Sequence, residues 1–475
     1  MVSLSFVDIL LILLYFSAVV FIGFRAARRQ SSDSVDFLLA GRTLTLPMFV
    51  ATLVSTWYGG ILGMGEFSYR YGISNWVVFG VPYYLFALIF ALVLARRVRE
   101  TNFLTIPDKL EVSYGRHTAL LGALLTFLLS APAAYVLMLG VLVQLIFGLN
   151  LALSIVVSTF LTVVYLYSGG FRSDVWANAF EFVMMFVGFL LILPFAYIQF
   201  GGWEFITERV PELHLTWHGG NSWQFIAVWF FIALWTLVDP AFHQRCAAAK
   251  DGATAQKGIL VSVLFWFFFD FLTTSAGLYA RAAMPDLREP MQAYPLLAEA
   301  TLPSVAKGLF YIGMLATIMS SLSSLMFISA ATVGNDLVGR IKRGDDPHVV
   351  GRWTKIGLIL SALFSIGLAL FLPSVVGIWY TIGTCIIPGL LVPLMASYFK
   401  PLEMPPRFAF WSMLTGWLVS TTSLVAGQVM GDVRTPAYLF GVEPMYPGLT
   451  VSVLVWGMGK VWVKFSSKKL LDIHL

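Results

Sequence analysis

Thr317, Ser320, Ser321, Ser323 and Ser324 put five hydroxyl groups into eight residues, inside an apolar run from about 302 to 333. At 3.6 residues per turn, Thr317, Ser320, Ser321 and Ser324 share one helix face. That face offers neutral oxygens, which suit a hard cation, where a helix crossing lipid would carry Leu, Ile or Val. Single serines also let membrane helices approach closely and bond to carbonyls. Five together point to a cation site.

Acids at membrane depth are the second signal. Asp239 precedes Pro240, and Asp270 lies within Phe267-Phe268-Phe269-Asp270-Phe271. A charge at a bilayer centre costs about 2.5–3.5 kcal/mol on insertion scales, so each is a functional candidate. Glu181 is a candidate of the same kind, and Glu66 and His243, near the interfaces by their position in the spans, are weaker ones.

Interrupted helices must position these groups. Ser55-Thr56-Trp57-Tyr58-Gly59-Gly60-Ile61-Leu62-Gly63-Met64-Gly65-Glu66 holds four glycines in seven positions. Glycine costs about 1 kcal/mol per helix-interior site relative to alanine, which predicts an unwound stretch over 59–65. Pro240 breaks a second helix beside a carboxylate. Backbone freed at membrane depth is tolerated where it lines a cavity or is buried in protein.

Composition agrees with a membrane setting. The 475 residues are 59% hydrophobic and 12% charged, and the mean hydropathy is +0.83; a soluble chain carries about twice that charge. About thirteen spans are expected, at 7–24, 46–64, 73–95, 118–146, 150–167, 174–199, 222–243, 258–280, 302–333, 354–372, 374–398, 407–428 and 446–463. With the N-terminus outside, of 30 Lys and Arg only Arg70, Arg209, Arg281, Arg288, Lys307 and Arg434 face outward. Arg245 is counted with the cytoplasmic connections. That bias is the positive-inside pattern and predicts a cytoplasmic C-terminus. The leader before the first span has no basic stretch and reads as uncleaved. The net charge of +5 follows the loops, so the lipid bilayer is the partner it indicates, with no nucleic acid. Two distant cysteines suggest neither a disulfide framework nor a zinc site. GxGD, GxSG (Ser168-Gly169-Gly170 lacks the leading glycine) and HExxH are missing, so an intramembrane enzyme is not indicated.

Five spans separate the two interrupted helices. Matching breaks in two five-helix halves are the mark of an inverted-repeat transporter with its site near the midplane. The halves would be 46–199 and 222–398, followed by two C-terminal helices at 407–463. The fold class expected is thus an all-α polytopic membrane protein in the plasma (inner) membrane.

Four segments carry a family likeness: DFLLAGRTLTLPMFVATLVST at 36–56, GGFRSDVWANAFEF at 169–182, HQRCAAAKDGATAQKG at 243–258 and LATIMSSLSS at 315–324. They resemble the sodium/solute symporter family, which includes proline, pantothenate, sialic acid and sodium/glucose symporters. The likeness implies a leucine-transporter-like five-plus-five core in which sodium (Na+) entry drives uptake of a small-molecule solute. It implies a sodium site built from the carbonyls of Ser55 and Tyr58, the carbonyl of Thr317 and the hydroxyls of Ser320 and Ser321. Some members have a second sodium site, which falls here on Ser320, Ser323 and Ser324; Asn178 replaces its aspartate, and Glu181 stands one turn further on. One sodium ion per cycle is therefore expected.

The likeness also places a solute pocket at Trp57, Ile61, Leu62, Asp239, Trp266 and Asp270. Sugar-binding members carry Glu-Gln where Ile61 and Leu62 stand, and an asparagine and a lysine where Asp239 and Trp266 stand. An amino acid or other amine-bearing solute suits this pocket better than a polyol. A carboxylate substrate is the alternative, and a sensor or channel on the same scaffold is the alternative in another class.

Overall fold

With no water in a bilayer core, each backbone N–H and C=O must be satisfied within the protein, so apolar runs this long fold as helices. The computed structural model describes residues 2–28, 34–166, 170–342, 347–431 and 436–471, without the side chains of 34, 165, 347, 348 and 466–471. Ser168, Gly169 and Arg434 lie outside the described residues. Among the described residues there is no strand, only an isolated bridge pairing Leu44 with Ala249.

The long helices fall where hydropathy expects them. We label them α1 (Phe6–Ala27), α2 (Leu46–Trp57 and Ile61–Tyr71), α3 (Trp76–Glu100), α4 (Arg116–Phe147), α5 (Leu151–Leu166), α6 (Phe171–Phe200) and α7 (Trp223–Ala248). The remainder are α8 (Gly252–Ala283), α9 (Ala306–Lys342), α10 (Pro347–Phe371), α11 (Val375–Tyr398), α12 (Pro406–Met430) and α13 (Met445–Leu471). Among the described residues, ten are long and apolar enough to cross a membrane, and the bent pair in α2 makes eleven. The other two fall short of that test: α5 is 16 residues long, and glycines and Lys460 dilute α13. Exposed apolar side chains such as Phe21, Leu92 and Phe160 cover the outside, the surface that lipid rather than water would meet.

The break in α2 is narrower than its glycine content predicts. Helix stops at Trp57, resumes at Ile61 and bends by 57°. Gly63 and Gly65 are helical. Their absent side chains serve packing instead: an added Cβ at Gly59 would overlap Ser321, at Gly60 and Gly63 it would meet Trp379, and at Gly65 it would press on Tyr294. The helix cost of glycine is offset by the close approach of these neighbours.

In α7, Asp239 is extended (φ −65°, ψ 120°) and Pro240 restarts the helix, which runs on to Ala248. Proline suits a first helical position because its missing N–H would be unpaired there anyway. The helix therefore outruns the expected end at 243 and carries Arg245 inside, fully buried. Its placement among cytoplasmic loop charges is corrected accordingly. At their near ends α2 and α7 are joined by the Leu44 N–H to the Ala248 carbonyl (3.1 Å) and the Lys250 N–H to the Leu44 carbonyl (3.0 Å).

The serine-bearing helix α9 is the packing axis. Its residues from Phe310 to Ser324 are all buried, and it lies along α6. Gly188 and Gly313 let the two backbones touch; a Cβ at Gly188 would sit 2.8 Å from the Gly313 Cα. Gly188→Ala is expected to destabilise the protein by about 1–3 kcal/mol, the usual effect of overpacking, read as a lower thermal unfolding midpoint in detergent. An unchanged midpoint would mean that the contact is not a tight one.

Candidate functional site

Two sets of groups converge on the breaks in α2 and α7. The first joins α2 to α9. Ser320 donates to the carbonyls of Ser55 (2.9 Å) and Thr317 (3.0 Å). Ser321 donates to the Thr56 carbonyl and, at 3.4 Å, to that of Ser55. Four of the five groups expected to hold sodium (Ser55, Thr317, Ser320 and Ser321) thus share one buried spot. Tyr58 stands at the same break, where its own N–H completes the helix to Val54. Its hydroxyl donates to Asp270 and shares a 2.7 Å hydrogen bond with Thr273. The Thr317 hydroxyl bonds to the Gly313 carbonyl of its own helix (2.6 Å), so a contact from this residue would come through its carbonyl.

The neighbouring groups differ from expectation. The carboxylate facing Ser323 and Ser324 is Asp174, which accepts from Ser323 (2.9 Å) and Ser324 (2.7 Å). Arg245 from α7 joins them, donating to Ser324 (2.7 Å), Thr56 (2.9 Å) and Asp174 (3.2 Å). Asn178 donates to Ser324 (2.8 Å) and to Asp174 (3.1 Å). Glu181 instead accepts from Tyr15 of α1 at 3.2 Å. A guanidinium therefore sits among the oxygens that a second cation would need. Removing one partner of a buried pair of this kind leaves an uncompensated charge and costs about 3–5 kcal/mol. Sequence reasoning missed both residues: Asp174 is the first residue of its expected span, and Arg245 lies two residues past the expected end of its own. The signal for Arg245 was Pro240, which starts a helix rather than only ending one.

The second set lines a cavity of about 100 Å³ between the breaks. Trp57, Asp239, Trp266 and Asp270, four of the six residues that the likeness assigns to the solute pocket, line it. Ile61 and Leu62 do not: both are fully buried in the apolar core. With the helix restarting at Ile61, the face turned to the cavity carries Gly60 and Met64, one turn apart. Tyr83, Tyr84, Tyr135, Trp235 and Trp379 complete the aromatic wall; they come from α3, α4, α7 and α11, and periodicity alone marked none of them. Asp239 does two things at once. One oxygen accepts from the Phe242 N–H (2.9 Å) and caps the restarted helix, while the other accepts from Trp235 Nε1 (3.1 Å) at the cavity wall. Asp270 accepts from the Tyr58 and Tyr84 hydroxyls. Glu66 pairs with Arg70 at 3.1 Å, and His243 bonds to the Leu237 carbonyl.

Comparison with known proteins bears on what this arrangement does. The model of the sodium:solute symporter family matches residues 37–416. Solute carrier family 5 member 4B of Mus musculus is 24% identical, over 98% of this chain and 80% of its own length. High-affinity choline transporter 1 of Drosophila melanogaster is 23% identical, over 97% and 78%. Among solved structures, a Na+-coupled sialic acid symporter in a substrate-bound outward-open state superposes with a TM-score of 0.76, covering 97% of each chain at 17% identity.

Proposed function

Because the chain belongs to the sodium:solute symporter family, we propose that it couples sodium entry to uptake of a small amine-bearing solute by alternating access. The observation that carries this reading is the shared break in α2. There the Ser55 carbonyl meets the hydroxyls of Ser320 and Ser321, and the next residues, Thr56, Trp57 and Tyr58, line the solute cavity. An ion held on one side of a hinge and a solute on the other favour the same arrangement of that hinge, which is what coupling requires. Neutral oxygen ligands suit an ion that must also be released.

The energetics allow accumulation. One charge moving through 100 mV yields about 2.3 kcal/mol, whereas a tenfold solute gradient costs about 1.4 kcal/mol. Broken helices in corresponding places, α6 packed along α9 and α11 along α4, support 46–199 and 222–398 as inverted halves, with 407–463 outside them. We place the chain in the plasma (inner) membrane with thirteen crossings, the N-terminus outside and the C-terminus cytoplasmic.

Uptake into proteoliposomes, screened over amino acids, amines, carboxylates and sugars with and without a Na+ gradient, tests the reading. An amine taken up only with Na+ is expected. Flux of the same solute at full rate without Na+ would point to a channel or facilitator.

Stoichiometry has its own test. With Arg245 among Ser324, Thr56 and Asp174, one sodium ion per cycle is expected, and the Na+ dependence should have a Hill coefficient near one. Glu181→Gln should leave it unchanged, since Glu181 faces Tyr15. A coefficient near two that this variant abolishes would give Glu181 the role of the missing aspartate.

A further inference from the structure

Six aromatic side chains, each from a different helix (Trp57, Tyr83, Tyr135, Trp235, Trp266 and Trp379), wall the solute cavity. Trp57 stands edge-on to Tyr83 (centroids 5.7 Å apart, 65°) and 6.2 Å from Trp266; Tyr135 lies 6.4 Å from Trp379. Trp379 reaches in over Gly60 and Gly63, where any side chain would displace it. No Lys, Arg or His is among the lining residues, whereas two carboxyl groups are.

The hydrogen bonding of those two groups decides what the cavity favours. Each oxygen of Asp239 already accepts, from the Phe242 N–H and from Trp235 Nε1. Each oxygen of Asp270 accepts from a tyrosine hydroxyl, Tyr58 or Tyr84. All four carboxyl oxygens are thus already engaged by one donor each, which leaves one lone pair apiece for any further donor. A primary ammonium brings N–H donors that lose water on entry and must compete for those oxygens. An N-alkylated ammonium brings a diffuse positive charge and apolar methyl surface, and the faces of Trp and Tyr rings attract it without hydrogen bonds. An anion would meet two carboxylates and the negative faces of the rings. A polyol would leave hydroxyls unpaired against indole walls.

We propose that the transported solute carries a quaternary or N-alkylated ammonium group, seated against Trp57, Trp266 and Trp379 and neutralised at a distance by Asp239 and Asp270. This rests on the reading of the protein as a sodium-coupled carrier of an amine-bearing solute, and narrows it.

The test uses two probes that differ only at nitrogen, choline and its primary-amine twin ethanolamine, with the full chain in proteoliposomes under an inward Na+ gradient. Saturable, Na+-dependent choline uptake is expected, with ethanolamine at least tenfold weaker in apparent affinity. Trp379→Leu should lose about tenfold or more for choline, and Trp379→Phe, which keeps a ring face, should recover most of it. Ethanolamine handled as well as choline would overturn the inference while the amine reading stands. Failure of choline to be taken up or to compete at millimolar concentration would also overturn it. Na+-driven uptake of a carboxylate such as lactate, with neither amine recognised, would remove both readings. If Trp379→Leu does not fold, Trp57→Phe against Trp57→Leu puts the same question to another ring of the wall.

Discussion

A roughly tenfold rise in the Na+ concentration giving half-maximal uptake is expected for Ser320→Ala, and a similar rise for Ser321→Ala. That factor corresponds to about 1.4 kcal/mol. Each hydroxyl is one of few oxygens at the α2–α9 contact, and no charged group stands in for it there: Ser320 meets the Ser55 and Thr317 carbonyls, and Ser321 those of Thr56 and Ser55. The double variant should lose Na+ coupling altogether. Folding should be spared, because alanine has the higher helix propensity and is smaller than the serine it replaces beside Gly59. Ser329→Ala provides the control: it is equally buried in α9 but bonds to the Phe127 carbonyl, away from the break, and should transport normally. Unaltered Na+ dependence in both single variants would remove the ion from this helix face.

Asp239→Asn is expected to weaken apparent solute affinity by about tenfold or more, with little change in folded yield. Asparagine caps helices about as well as aspartate, so its oxygen keeps the Phe242 N–H while the charge at the cavity wall is lost. Asp239→Ala should show the same loss of affinity and a lower yield besides. It removes the cap, a contribution of about 0.5–2 kcal/mol, and leaves Trp235 Nε1 without the oxygen it now meets. The two substitutions separate roles that one side chain combines. Near-normal affinity in Asp239→Asn would assign the residue to capping alone and reopen a neutral or anionic solute.

Several of these assignments were legible before any coordinates, others only after them. Hydropathy placed the middle of each long helix, with some ends off by as much as nine residues, because burial in lipid acts on each segment by itself. The glycine run and Pro240 located both breaks, since backbone conformation is a local property. The hydroxyl face of α9 followed from helical spacing alone. Local signals also misled where they had two causes: Gly63 and Gly65 loosen nothing and instead admit Trp379 and Tyr294.

What the sequence by itself determined is therefore a membrane bundle with two interrupted helices and one oxygen-rich face. Only the tertiary structure decided that Asp174 takes up Ser323 and, with Asn178, Ser324, that Glu181 turns to Tyr15, and that Arg245 fills the space among them. It likewise decided that Ile61 and Leu62 turn into the core while aromatic rings from α3, α4, α7 and α11 close around Asp239 and Asp270. These are contacts between residues far apart in the chain. Helical periodicity fixes which side chains share a face, but the partner that face meets depends on how all the helices pack at once.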